Sequence, residues 1–450
     1  MRILLTAHAF LPRSVAGVEV YTARLASALQ ELGHSVMVVA AAHDLAASPY
    51  SVRRRAFGSL DVAEIVNNHL EGTLEASYRV PAIDRAIEQI LEEFRPDCVH
   101  AQHLLNLSTG LLEAARRRGI PVVLTLHDYW LSCPRDGLRM QVDGTLCRTV
   151  DHRVCASCLA GSPQLVPPLQ RSASGVARRL GLGRVLHEAH RRAPRATVTL
   201  LAALRRAWPV SSRGLEGALD LRDDHLRGRL HEVDVVLAPT QFAKDQAVEW
   251  GLPAEKIRVL PLGAVPGPTR PRLAASRRRL GYVGTLAHHK GVHVLVEAAV
   301  GLPGQDWTLD ITGNPAVDPG YTARLRALAQ GDPRIRFRGA VPATEQERLW
   351  ESLDLLVLPS LWWENSPLTV LEALAAGLPV VASRTGGVPE VLPPSAGLLV
   401  APGDVRELRA ALGSVLEDRL LASALDPLPL KTCRQGAVEL VELYSETLRR

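Results

Sequence analysis

Pro359-Ser-Leu-Trp-Trp-Glu364-Asn-Ser-Pro-Leu-Thr-Val-Leu-Glu372-Ala-Leu-Ala-Ala-Gly377 carries two glutamates with seven residues between them. Glu364 stands in a polar loop after the apolar, strand-like run Leu355 to Leu358. Ser366-Pro367 then reads as a helix start, with serine as N-cap and proline at the first helical position. Proline has no N–H, but Leu368, Thr369 and Val370 do, and amides at a helix start lack intrahelical partners. Such an end suits a phosphate or diphosphate. Glu372 falls inside the helix, where a carboxylate can accept hydrogen bonds from a vicinal diol such as a ribose. On spacing alone, such a pair is more often one solvated loop glutamate and one ordinary helical glutamate. The strand before it, the cap, the proline and the Gly377-Leu-Pro stop turn the balance toward a nucleotide-sugar site.

Working outward, Gly284-Thr285-Leu-Ala-His-His-Lys290-Gly291 follows a strand-like run and precedes a helical one. A lysine there can reach a diphosphate as a point charge, and Gly291 lets backbone approach closely. Downstream, Thr385-Gly386-Gly387-Val-Pro-Glu390 follows the run Val380–Ala382, and paired glycines there form a tight turn with exposed amides. Glu390 reads as a structural cap rather than a catalytic group. In the first half, Ala16-Gly17-Val18-Glu19 opens a helix, and His127-Asp128-Tyr129-Trp130 ends the strand-like run Val122–Leu126. His8, Glu19 and His103 are further candidates near the same strand ends.

Short apolar runs alternate with amphipathic stretches throughout, which predicts parallel sheets covered by helices. First-half strands are expected at Ile3–Thr6, Val36–Ala40, Cys98–Ala101, Val122–Leu126, Val235–Ala238 and Ile257–Leu260, with helices such as Val20–Leu32 and Leu104–Arg118. The proline- and glycine-rich stretch from Pro261 to Pro268 reads as a linker. Strands then recur at Leu280–Val283, Thr308–Ile311, Ile335–Arg338, Leu355–Leu358 and Val380–Ala382. Helices are expected at Gly291–Val300, Tyr321–Ala329, Glu345–Ser352, Pro367–Ala376 and Val405–Glu417. Ligands of such units bind at the carboxyl ends of the strands. The divisions are a first domain over 1–262 with an insertion at about 133–215, a second over 263–429, and a C-terminal helix over 430–450 returning to the first.

In these motifs the chain resembles glycosyltransferase family 4, whose members are retaining enzymes. The resemblance runs over nearly the whole length and is densest from Gly281 to Asp404. It implies an α/β fold of two facing Rossmann-like domains, the GT-B architecture, with the active site in the cleft between them. The implied reaction moves a sugar from a nucleoside-diphosphate-sugar donor to an acceptor, whether glycan, lipid-linked or small molecule, in polysaccharide or glycoconjugate synthesis. The resemblance gives Lys290 the departing diphosphate, Glu364 the sugar hydroxyls, Glu372 the ribose and His127 the transferred hexose. It places Gly17, Gly284, Thr285, Ser366, Leu368, Thr369, Gly386 and Gly387 around the donor. Two departures stand out: Thr285 where the family usually has arginine, with Arg384 or His289 as substitute cations, and Ala16 where it commonly has glycine. An epimerase or phosphorylase on the same scaffold, or a non-catalytic carbohydrate-binding protein, remains open beside the transferase.

No Asp-x-Asp occurs in the chain. Paired carboxylates of that kind usually hold a donor's Mg²⁺ or Mn²⁺, so the expected chemistry needs no cofactor or catalytic metal. The dinucleotide fingerprint Gly-x-Gly-x-x-Gly is missing as well. Cys133, Cys147, Cys155 and Cys158 fall within 26 residues and include a Cys-x-x-Cys, which suggests a structural zinc, with unligated thiols as the alternative. Residues 171–206 hold nine arginines, no lysine and one acid, Glu188. Such a stretch either lies on an anionic membrane surface or is a solvated helix pair. With 47% hydrophobic and 22% charged residues the chain is globular, and its mild net charge of +5 lacks the basic-aromatic pattern of nucleic-acid readers. No apolar run nears the roughly 18–20 residues of a membrane span, and Ile3-Leu-Leu is too short for a signal-peptide core. The expected location is cytoplasmic, either free or peripheral at the inner face of the membrane.

Overall fold

Strands with an apolar residue at nearly every position have no polar face to offer water, so they pair in parallel with helices on both sides. Two sheets form in this way in the computed structural model, which describes residues 1–68, 72–162, 165, 211–265, 278–342, 345–417 and 430–449. The first contains β1 (Arg2–Ala7), β2 (Ser35–Ala42), β3 (Val52–Phe57), β4 (Leu60–Val66), β5 (Cys98–Ala101), β6 (Val122–Thr125), β7 (Val235–Ala238) and β8 (Ile257–Val259). Its order is β3-β4-β2-β1-β5-β6-β7-β8, parallel except for the edge pair β3–β4. The second contains β9 (Arg278–Val283), β10 (Trp307–Thr312), β11 (Ile335–Gly339), β12 (Leu355–Leu358), β13 (Val380–Ser383) and β14 (Gly397–Val400). It is parallel throughout, in the order β11-β10-β9-β12-β13-β14. In both sheets the strand order reverses beside the first strand, which sets loops from neighbouring strand ends around one point.

The chain divides into two compact units. One comprises Met1–Ala238, Lys244–Val259 and Ala437–Arg450, the other Pro239–Ala243 and Leu260–Gly436. The core of the second unit is built from fully buried β-branched and leucine side chains such as Val292, Leu295, Leu309, Ile311 and Val357. In the first unit the terminal helix Cys433–Leu448 brings Tyr444 to the sheet. There His100, wholly buried on β5, sits between Tyr444 Oη at 2.5 Å and Thr125 Oγ1 at 2.7 Å. Burial pushes the pKa of His100 down to about 3, so this bridge is neutral.

Three strands lie outside the sequence expectations. β3 reads Val-Arg-Arg-Arg-Ala-Phe, and its arginines hide a β-pattern. It survives as an antiparallel edge because Arg53 faces Glu64 in register and Arg55 Nε donates to Glu64 Oε1 at 2.7 Å. β4, its partner, and the four-residue β14 also escaped the pattern. The helix after Glu364 begins one residue later than expected. Pro367 is the N-cap, with an extended ψ of 113°, and its carbonyl accepts from the Val370 N–H at 3.0 Å. Leu368 and Thr369 are therefore the amides left outside the helical ladder, while Val370 is committed.

Cys155 and Cys158 lie one turn apart on the helix His152–Ala160, and all six cysteines are free thiols. Among the described residues no group of three or more His, Cys, Asp or Glu side chains is arranged to hold a metal ion. The zinc expected on Cys133, Cys147, Cys155 and Cys158 is corrected accordingly. The sulfurs are turned to other uses: Cys133 Sγ accepts the Arg139 N–H at 3.4 Å and points at Arg135 O. Burial also holds the Cys147 and Cys155 thiols up at about 11 and about 12, which keeps them protonated. The arginine-rich stretch 171–206, with the membrane contact expected of it, lies outside the described residues. Among the described residues no helix is long and apolar enough to cross a membrane.

The loop after β6 is anchored from below by Arg222, which is fully buried on the helix Leu215–Leu230. Its guanidinium donates to Leu131 O at 2.9 Å and to Trp130 O, pairs with Asp223 at 3.4 Å and lies under the Trp130 ring. Replacing it by leucine leaves two carbonyls without their donor and takes one of its partners from the buried Asp223 carboxylate, which keeps Trp250 Nε1 at 3.1 Å. Arg222→Leu should lower unfolding stability by about 3–5 kcal/mol. Urea unfolding followed by tryptophan fluorescence will measure this, and a loss under about 1 kcal/mol would show that the loop does not depend on the arginine.

Candidate functional site

In the second unit the carboxyl ends of β9, β12 and β13 bring three loops together. Lys290 closes a short 3-10 turn, His288–Lys290, and Gly291 follows with φ of +66°. A Cβ at Gly291 would sit 1.9 Å from Pro359 O, so glycine is required for the backbones to meet. Leu361 N–H donates to His289 O at 2.9 Å, knitting this turn to the loop that carries Glu364. The result is an ion pair: Lys290 Nζ donates to Glu364 Oε1 at 2.8 Å. Ser360 Oγ donates to the same oxygen at 2.6 Å.

Glu364 is only 4% exposed. Burial by itself opposes its charge, but the Lys290 ammonium, with hydrogen bonds from Lys290 and Ser360, holds its carboxyl below the usual carboxylate range. Lys290 Nζ also lies 4.6 Å from the centre of the Trp362 ring, a cation–π contact.

The glycine pair Gly386-Gly387 has a different task from presenting free amides. Gly387 N–H donates to Glu364 O at 2.7 Å, and a Cβ at Gly386 would lie 2.0 Å from that oxygen. Thr385 Oγ1 donates to Trp362 O at 2.9 Å. This loop therefore braces the glutamate loop from behind. Glu390 caps a helix start, its two oxygens accepting the Gln241 and Phe242 amides at 2.6 and 2.7 Å. Glu372 is buried in the helix Leu368–Ala375, and Ser366 is half-buried just before it. Gly284 and Thr285 follow the end of β9, where Tyr282 Oη donates to Thr285 O at 2.7 Å. Arg384, proposed as a substitute cation, is exposed and directed to Leu399 O. Sequence reasoning missed Ser360, Trp362 and Thr385. The available signal was a serine four residues before the first glutamate, one helical turn or one tight loop away.

In the first unit, Gly17 begins the helix Gly17–Glu31 and an added side chain there would meet open space. His127, at the end of β6, hydrogen-bonds Gln102 Oε1 through Nε2 at 2.8 Å. The amide oxygen can only accept, so His127 carries its proton on Nε2 and leaves Nδ1 as an acceptor. Burial, with His103 nearby, pushes its pKa down to about 3. Beside it His103 Nε2 meets Asp128 Oδ2 at 2.9 Å, and His8 Nε2 meets Glu19 Oε1 at 3.4 Å.

The geometry is that of a two-sheet α/β protein whose ionic site lies at the strand ends. A model described as "Glycosyltransferase Family 4" matches residues 15–158, and one described as "Glycosyl transferases group 1" matches 277–418. Similar curated proteins include the amylovoran biosynthesis glycosyltransferase of Erwinia amylovora, 30% identical over 46% of this chain and 52% of its own. The D-inositol 3-phosphate glycosyltransferase of Corynebacterium jeikeium is 37% identical over 42% of this chain and 52% of its own. The chain thus spans about half the length of such relatives. Among solved structures, sucrose-phosphate synthase from Thermosynechococcus elongatus has a TM-score of 0.66 at 18% identity, covering 100% of this chain and 99% of that one. The Anabaena protein HepE, solved with UDP and glucose, has 0.60 at 16%, covering 98% and 99%. At such identities these likenesses speak for the GT-B fold. The chain belongs to the group 1, family 4 glycosyltransferases.

The ion pair makes a pH prediction. The folded pKa of Glu364 lies below its unfolded value of about 4.3, so the pair's share of stability is fully present above that value. It is lost as pH falls through the folded pKa. Lys290→Met removes the charge that offsets burial, which outweighs the remaining Ser360 hydrogen bond and raises the Glu364 pKa, so the variant should lose stability as pH rises through the carboxylate range. Melting temperatures from about pH 2 to 7 will show the wild type losing stability as pH falls below about 4.3 and the variant losing it as pH rises above that value; parallel curves would mean that Lys290 does not govern Glu364.

Proposed function

We propose that this protein is a retaining, metal-independent glycosyltransferase that uses a nucleoside-diphosphate sugar. The observation that carries the donor reading is the Lys290–Glu364 pair at 2.8 Å, whose glutamate stands on the loop that leads into the helix bearing Glu372, while retention is taken from the family. HepE, which shares the fold, was solved with UDP-glucose, and this supports a nucleotide-sugar donor in the second unit. The matched transferase of amylovoran biosynthesis supports a role in polysaccharide or glycoconjugate assembly.

Donor binding opens the ion pair. Lys290 turns to the diphosphate, the Leu368 and Thr369 amides meet its oxygens, and Glu364 is released to hold the sugar hydroxyls. Glu372 holds the ribose, and neutral His127 the transferred hexose. The bond from the anomeric carbon to the diphosphate oxygen breaks as the acceptor oxygen bonds to the same face of that carbon. The acceptor's proton passes to the departing diphosphate. The protein's contribution is to meet the growing negative charge with a fixed ammonium and fixed amides, with no metal in this role. Thr285 supplies no charge where the family pattern expects arginine, so Lys290 bears the larger share.

Lys290→Ala should lower turnover by ~10²–10³, the usual loss for one preorganised electrostatic group, with a smaller effect on donor affinity. Glu364→Gln should follow it, whereas Glu372→Gln should weaken the free nucleoside diphosphate itself. Steady-state transfer assays and calorimetry with UDP, GDP, ADP and dTDP will separate these. Near wild-type turnover in Lys290→Ala would reject the site.

A further inference from the structure

Trp362 and Trp363 stand side by side ahead of Glu364 and serve different neighbours. Trp363 is 9% exposed and packs edge-on against Phe242, with 5.2 Å between ring centres. Trp362 is half-buried, and the Lys290 ammonium lies over its ring, 4.6 Å from Nζ to the ring centre. The backbone of Trp362 is held twice: its carbonyl accepts from Thr385 Oγ1 at 2.9 Å, and its N–H donates to His289 O at 3.3 Å. The His289 imidazole also meets the ring edge-on at 5.2 Å. The ring is thus tied to the turn that carries Lys290 and to the loop after β13, so its place beside the ammonium is set by backbone contacts on both sides.

Two side chains among the described residues meet the Lys290 ammonium, and they differ in kind. Glu364 Oε1 accepts from Nζ at 2.8 Å, and this carboxylate is the group that the proposed function turns toward sugar hydroxyls. The Trp362 ring attracts the cation through the negative face of its π system, a contact that needs no exchange of hydrogen bonds. Only 20% of the lysine side chain is exposed, so water supplies part of its solvation at most and the ring counts for more than on an open surface. An ammonium that leaves the carboxylate therefore keeps one protein partner. That partner also narrows a long, flexible stem to the rotamers that stay over the ring.

We propose that Trp362 is a positioning residue for the transfer reaction, its ring being the seat over which the Lys290 ammonium passes from Glu364 to the donor's diphosphate. The inference rests on the reading of Lys290 as the cation that meets the diphosphate, and adds that the aim of this lysine depends on the π face beside it. The free nucleoside diphosphate carries the charge that the departing group acquires, so it probes the full interaction. A nucleoside monophosphate lacks the terminal phosphate on which that charge gathers and serves as the control.

Calorimetry on the full chain with UDP, GDP, ADP and dTDP, each beside its monophosphate, will compare the wild type with Trp362→Phe, Trp362→Leu and Lys290→Met. Trp362→Leu should weaken the bound diphosphate by roughly three- to tenfold, the scale of one partly desolvated cation–π contact, with Trp362→Phe falling between it and the wild type. The monophosphate should bind nearly unchanged, and with Lys290→Met present the three side chains at 362 should bind the diphosphate alike. Tryptophan fluorinated on its benzo ring and placed at 362 keeps its shape while losing charge from the π face, so it should also weaken the diphosphate. Melting curves will identify the folded variants, and the fluorinated protein keeps the test open if Trp362→Leu does not fold. Unchanged diphosphate affinity in the folded 362 variants and the fluorinated protein, or a loss shared equally by the monophosphate, would overturn the proposal and leave Lys290 in its role. Wild-type diphosphate affinity in Lys290→Met, or no binding of any of the four diphosphates, would instead fault the donor reading and overturn this inference with it.

Discussion

A carboxylate almost shut from water keeps its charge only when a cation and hydrogen-bond donors replace the solvent it has lost. Glu364 meets that condition through Lys290 and Ser360, and much of the second unit is arranged so that it can. Gly291 allows the lysine turn to touch Pro359, and Gly386 allows the loop after β13 to touch the backbone of Glu364 itself. Thr385 fixes Trp362, whose ring then lies against the lysine. The energetic consequence is a pair that is stable while empty and electrostatically unsatisfied once either partner turns away. In the proposed function a diphosphate and a polyol replace these contacts, one offering negative charge to the lysine and the other hydroxyl donors to the carboxylate.

The first unit solves a different problem. Its strand ends gather carboxylates and imidazoles rather than an ammonium, and burial keeps the imidazoles His100 and His127 neutral at ordinary pH. Positive charge on that sheet is drawn to its edge, where Arg53 and Arg55 surround the nearly buried Glu64. The two units thus differ at their strand ends: an ammonium beside amides outside the helical ladder in one, carboxylates and neutral imidazoles in the other.

The sequence by itself determined the alternation of buried strands with helices, because a run such as Leu355–Leu358 or Val122–Thr125 has no polar face and can exist only inside a covered parallel sheet. It also marked Lys290, Glu364 and, to within one residue, the helix start at Ser366-Pro367, since charged residues and a proline at strand ends are conspicuous in one dimension. What it concealed depended on partners distant in the chain. The arginines of β3 look unlike a strand until Glu64 stands opposite them. Gly386 and Gly387 look like a ligand loop until the Glu364 carbonyl is seen to occupy the Gly387 amide. The four clustered cysteines look like a zinc site until Cys133 is found bonded to its own loop. The tertiary structure alone decided these, because a hydrogen bond or an ion pair is a relation across space, and spacing along the chain constrains it only within a helical turn or a strand.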